Sequence, residues 1–167
     1  MHTLSPTAVD YTITPIHDAF LHSARSLGVD DQAQAVERHV ASGGEPCRDV
    51  LRRAEPGEPL ILASYSPFAV AGPYKEFGPV FVMADEQPHT AAPTSLAALM
   101  ACGYLGPQFV LRAYSRAERI VDGIVVTREQ AEEHLQDLLQ RDDVQFVLVR
   151  FAGYGCYACR IDRRLAC

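Results

Sequence analysis

An α+β domain with a mixed or largely antiparallel sheet is the fold this sequence predicts. Three observations predict it. Roughly seven stretches alternate in polarity or run apolar over strand lengths, beside three to four helical stretches. The strand-like stretches follow one another instead of alternating strictly with helices, which disfavours an all-parallel sheet. The chain has 167 residues, 48% of them hydrophobic, enough to bury one core without a metal or disulfide staple. Residues 1–167 are therefore expected to form one domain, without internal repeats.

Tyr11 to Ile16 alternates and predicts a first strand. Asp18 is placed to cap a short helix through about Ser26. Asp30 or Asp31 is placed to cap a second helix ending near Ser42, since Ala33, Val36 and Val40 recur at helical spacing and Gly43-Gly44 would stop it. Cys47 to Ala54 reads as a short helical or turn segment. The cluster Glu55-Pro56-Gly57-Glu58-Pro59 is a turn. Leu60 to Tyr65 is nearly continuously apolar, as in a strand buried on both faces. Ser66 to Gly78 is a loop, and Pro79 to Met83 a strand that starts at its proline.

Ser95 to Cys102 predicts a short helix, with Cys102 in the core. Gln108 to Tyr114 and Ile120 to Val126 predict a hairpin around Ser115 to Arg119. Thr127 to Leu139 is the clearest helix: Thr127 and Gln130 have capping-box spacing, and Ala131, Leu135, Leu138 and Leu139 form one apolar stripe. Val144 to Phe151 and Cys156 to Arg163 are the closing strands, joined by a turn over Ala152 to Gly155.

Composition excludes several functions. A formal charge of -6 argues against nucleic acid as a partner, because phosphate-backbone binding shows as basic excess. It does not argue against a small anion in a pocket. Lys75 is the only lysine among 15 basic residues. No apolar run reaches the roughly 18 residues of a membrane helix. Met1 to Asp10 has neither the basic nor the apolar part of a signal peptide. Five scattered cysteines do not resemble a disulfide framework. A cytoplasmic protein with reduced thiols is expected, with no cofactor and no metal; oligomeric state is not legible.

Candidate chemistry centres on two segments. Pro46-Cys47-Arg48 sets a thiol and a guanidinium at the start of a short turn, where a thiolate would be favoured and backbone N–H groups would attract an anion. The other reading is a small buried cysteine with Arg48 paired to Glu45 or Asp49. Cys156-Tyr-Ala-Cys159 has the spacing of half a zinc site or a redox pair. Strand alternation would place these two cysteines on opposite faces, unable to bond or share a metal. The same alternation groups Cys156, Ala158, Arg160 and Asp162 on a polar face, and leaves Cys159 in the core. The plain alternative is an Arg160–Asp162 surface pair. Gly72 to Pro79 carries Tyr74 as a pocket-rim candidate, or is simply a rigid connector; its residue order excludes a phosphate-binding P-loop. The six histidines are scattered, with His39 and His134 on predicted helices.

The ordered set Pro46-Cys47-Arg48, Ala54 to Glu58, Ser64-Tyr65, Gly72-Pro73-Tyr74, Gly78 to Val82, Leu111 to Tyr114, Tyr154-Gly155-Cys156 and Arg160 to Arg163 resembles the DUF1203 family of uncharacterised bacterial proteins. The resemblance runs over about residues 11–163. It implies a single domain and supplies no activity.

The expectation is a cleft in which Cys47 and Cys156 carry any catalysis and Arg48, Tyr74, Arg160 and Asp162 contact a small anionic molecule, the arginines by bidentate hydrogen bonds. Whether the protein is an enzyme stays open. The alternative is an interaction module without chemistry, with a small metal-dependent domain as a third reading.

Overall fold

The computed structural model describes residues 8–87 and 91–164. Two five-stranded sheets carry the fold, which is α+β and mostly antiparallel. The strands are β1 (Tyr11–Thr14), β2 (Glu37–Val40), β3 (Pro46–Cys47), β4 (Arg52–Arg53), β5 (Pro59–Tyr65), β6 (Gly78–Met83), β7 (Gln108–Tyr114), β8 (Ile120–Thr127), β9 (Phe146–Phe151) and β10 (Tyr157–Arg163). The helices are α1 (Asp18–His22), which runs on as a π-helical turn over Ser23–Leu27, α2 (Leu96–Ala101) and α3 (Ala131–Leu139). One sheet has the order β1-β10-β9-β7-β8 and the other β2-β5-β6-β3-β4. The single parallel pairing among the described strands joins β3 to β6.

Each sheet face is assigned by strand periodicity. Phe109, Leu111 and Ala113 of β7 and Val147, Val149 and Phe151 of β9 meet α2 and α3 through Leu96, Leu99, Leu135 and Leu139. The opposite face gives Tyr114, Phe146 and Leu148 to a second core shared with Ile61, Ala63, Tyr65, Val80 and Val82 of the other sheet and with Phe20 and Ala24. β9 is buried at all six positions because it lies between these two cores. A third, smaller core under β5 and β6 holds Cys47, Val50, Leu60 and Met83.

The expected strands at Leu60–Tyr65, Pro79–Met83, the β7–β8 hairpin, β9 and β10 are all present, as is α2, whose Ser95 side chain accepts from Ala98 N at 3.1 Å. Four local expectations are corrected. The segment 31–42 is not a helix: Asp30 accepts from Gln32 N and Gln34 N at 2.9 and 3.0 Å, closing a turn, and Ala33 sits at φ 58°. Glu37–Val40 then pairs with β5 as an exposed edge strand. The free edge of β5 outweighs a thin apolar spacing that offered no full helical face. His39 is accordingly on a strand.

The segment from Cys47 makes one helical turn, with Leu51 N donating to Cys47 O at 2.9 Å, and then Leu51 turns left-handed at φ 52°. The chain returns as β4, so no helix N-terminus forms, and Arg48 N is used by Phe81 O. In α3 the first helical residue is Ala131. Thr127 ends β8 and donates its hydroxyl to Gln130 Oε1 at 3.2 Å instead of capping backbone. Cys102 is exposed, at the C-terminal end of α2, and not in the core. Cys167 lies outside the described residues.

No described helix is long and apolar enough to cross a membrane.

Candidate functional site

Two buried arginines bracket one cysteine. Among the described residues Arg48 and Arg150 are the buried cations, at 3% and 6% exposure. Arg48 Nε donates to Tyr157 O at 2.9 Å and its Nη1 to Pro46 O at 2.6 Å. Arg150 Nη1 donates to Gly155 O at 2.9 Å. The carbonyls immediately before and after Cys156 are thus each held by a buried guanidinium.

A β-bulge puts Cys156 there. Tyr157 pairs with Arg150 and Cys159 with Val149, which leaves Ala158 as an extra residue in β10. The extra residue reverses the facing of everything before it. Cys159 and Ile161 pack into the helix-covered core, Tyr157 turns to the inter-sheet core, and Cys156 comes back to the helix-covered side. Two expectations fail for this reason. Cys156 does not share a face with Arg160, and Cys156 and Cys159 are not on opposite faces. Both are free thiols, Cys159 fully buried and Cys156 half-buried.

Beside this turn lies a cavity of about 610 Å³. Arg48, Arg53, Phe151, Tyr154 and Cys156 line it, with Gly43 to Pro46 and Gly106 to Gln108 completing the wall. The Arg48 and Arg53 guanidinium carbons lie 5.1 and 5.7 Å from the centre of the Phe151 ring, within cation–π range. Arg53 donates to Gly103 O and Gly44 O at 3.2 and 2.7 Å. Neither guanidinium has a carboxylate within 4.0 Å among the described residues, and Arg48 Nη2 makes no hydrogen bond to them. The one acid in the wall, Glu45, turns its oxygens to Ser42 N and Gly43 N at 2.7 and 2.9 Å, and those bonds hold its pKa below the usual carboxylate value.

Burial lowers the pKa of Arg48, with Tyr104 and then Cys156 acting in the opposite sense. Burial lowers that of Arg150 as well, opposed first by Cys156 and then by Tyr157. A guanidinium stays protonated through such shifts. The cavity therefore holds fixed positive charge in an apolar setting. A negatively charged group entering it would find charge-assisted donors already in place.

On the far side of the turn, a smaller cavity of about 210 Å³ is lined by Glu76, Arg150, Tyr154 and Cys156, among others. Glu76, on the loop before β6, forms an ion pair with Arg150. Arg150 Nε is buried without a partner.

The remaining expected site residues lie elsewhere. Cys47 is fully buried in the third core, donates weakly to Glu45 O at 3.6 Å, and is absent from the cavity wall. Burial, then the charge of Asp49, pushes its thiol up to about 12, so it is no thiolate at neutral pH. Tyr74 lies under Arg119, whose guanidinium carbon is 5.2 Å from the ring centre, in a separate surface cavity. Arg160 is tied to Asp162 at 2.8 Å and stacks 3.8 Å over Phe146. Arg48 and Arg160 therefore do not converge. One lies over Phe151 and the other over Phe146, at opposite ends of β9 and on opposite faces, ~16 Å apart along the strand at about 3.3 Å per residue. Asp49, the other partner weighed for Arg48, is instead paired to Arg25 at 2.6 Å.

Sequence reasoning missed Arg53, Arg150, Phe151 and Tyr154. Arg150 had a visible signal: it is the only charge in the apolar run Phe146–Phe151, and a charge there must have a dedicated environment. Among the described residues no group of three or more His, Cys, Asp or Glu side chains is gathered to hold a metal ion.

A family model described as a protein of unknown function, DUF1203, matches residues 44–163. No curated protein and no solved structure matches the chain.

Proposed function

The chain belongs to the DUF1203 family, and from that premise we propose that it binds a small anionic molecule in the cavity walled by Arg48, Arg53, Phe151 and Cys156. One observation carries the reading. Arg48 is a buried cation with no carboxylate partner among the described residues, on the wall of a cavity of about 610 Å³. A buried charge without a counterion is costly, and a bound anion would relieve that cost. The volume is in the range of small-molecule sites. Phe151, Pro46, Pro107 and Tyr154 add apolar surface, so the fitting ligand has one anionic head on a flat or apolar body. A cytoplasmic setting with reduced thiols belongs to the same reading.

Calorimetric titration of the whole protein with nitrobenzoate and with inorganic phosphate tests it. Binding of at least one is expected. Arg53→Gln should weaken it about tenfold, the equivalent of one charge-assisted contact at roughly 1.4 kcal/mol. Absence of binding by both anions would remove the proposal.

The runner-up is an interaction module. What favours it is the exposed edge strand β2, on which Val40 is 73% exposed. A partner there would leave the Arg53→Gln variant fully competent.

A further inference from the structure

We infer that Cys156 is a nucleophilic thiol and that its co-substrate is a low-molecular-weight disulfide bearing a carboxylate. The inference rests on the anion-binding reading above and deepens it by naming the substrate class.

Four observations support it. Cys156 is half-buried and lines the same cavity as Arg48 and Arg53. The backbone carbonyls on its two sides are held by Arg48 and Arg150, so two buried guanidiniums flank the residue, Arg150 being ion-paired with Glu76 and Arg48 having no carboxylate partner among the described residues. Both are more than nine-tenths buried, Arg48 Nη2 has no hydrogen-bond partner among the described residues, and Arg150 Nε is buried and unpartnered. Finally, neither histidine nor lysine lines the cavity, its single acid, Glu45, has both oxygens engaged by backbone N–H groups, and Glu76, which shares the smaller cavity with Cys156, is ion-paired with Arg150.

The last point selects the reaction. Acyl transfer or hydrolysis at a cysteine needs a group to move protons. Thiol–disulfide exchange needs none: it requires an attacking thiolate and stabilisation of the thiolate that leaves. The Cys156 thiol gives its proton to solvent, its sulfur attacks one sulfur of the disulfide, a new S–S bond forms to Cys156, and the old S–S bond breaks. Its electron pair departs on the second sulfur as a thiolate, with no net oxidation. Arg48 and Arg53 receive the carboxylate of the incoming molecule.

The test uses the whole protein and two probes, the dianionic dithiobis(nitrobenzoate) and the neutral dithiodipyridine. Thiol release is followed by absorbance, and peptide mass spectrometry assigns the modified cysteine. The expected result is that Cys156 reacts with the anionic probe at least about tenfold faster than the exposed Cys102, a rate gain of the size that neighbouring cations give thiols. Arg53→Gln should remove most of that advantage for the anionic probe and leave the neutral probe unaffected; Arg160→Gln should change neither. The inference is overturned if Cys156 reacts no faster than Cys102, or if Arg53→Gln slows both probes equally. Nitrobenzoate itself carries no disulfide. If it binds while Cys156 is slow, the thiol chemistry falls and anion binding stands. If it does not bind and both probes react alike, the carboxylate-bearing substrate falls as well.

Discussion

Arg48 and Tyr157 are 109 positions apart in the chain, and the guanidinium Nε of the first donates to the backbone carbonyl of the second at 2.9 Å. This bond fastens the β3–β4 turn of one sheet to the first residue of β10 in the other. It sits at the point where the cavity, the bulge and Cys156 meet.

Arg48→Met should destabilise the protein by about 2–4 kcal/mol, because it strands the carbonyls of Tyr157 and Pro46 without donors. Arg48→Lys should recover only part of the loss, since an ammonium cannot span both acceptors as the planar fork does. Urea denaturation midpoints measure both, and equal stability of Arg48→Met and the parent would contradict the role assigned to the pair.

Cys47 should be inert in the native state. Its thiol is fully buried and pushed up to about 12, so alkylation at neutral pH should reach it only at the rate of unfolding, while Cys102 labels at once. Rapid native labelling of Cys47, read by mass spectrometry, would refute the packing described for the third core.

Glu58 is held down to about 2, first by its side-chain hydrogen bonds with Arg52. Those contacts run from Arg52 Nη1 and Nη2 at 2.8 and 2.7 Å. A depressed carboxylate stabilises the fold fully above its ordinary value of 4.5 and loses that contribution as pH falls through about 2. Glu58→Gln should therefore flatten the decline of thermal midpoint between those limits and lower the midpoint at neutral pH. A decline as steep as the parent's would show that the acid sensitivity arises at other groups.

Arg160→Ala should cost less than about 1 kcal/mol, as expected for a partly exposed ion pair, and should leave anion binding intact. Thermal melts and the nitrobenzoate titration check the two halves. Lost binding in this variant would restore the arrangement in which Arg48 and Arg160 share one hollow.

Much of the architecture was legible because it rests on local periodicity. The β7–β8 hairpin, β9, β10, α2 and the apolar stripe of α3 follow from spacings of two and of three to four. The β2 region was not legible, because its conformation is decided by the distant free edge of β5 and by Asp30 bonding to Ser64 N as well as to its own turn. The candidate site was half legible. Arg48 and Cys156 were picked out and do share a cavity wall. Arg160 was grouped with Cys156 by strict alternation, which one inserted residue in β10 defeats. Nothing in Tyr157-Ala158-Cys159 announces that insertion, since it is fixed by register against β9. Cys47 was misjudged because a thiol beside an arginine looks the same in sequence whether it faces a cavity or a core.

The Ala158 bulge has a consequence for chain length. Deleting that single residue would bring Tyr157 and Cys159 into regular alternation, keep their pairings to Arg150 and Val149, and leave the thiol of Cys156 on the side it now occupies. Homologues one residue shorter at this point would present the same surface to solvent, with their two cysteines two positions apart instead of three.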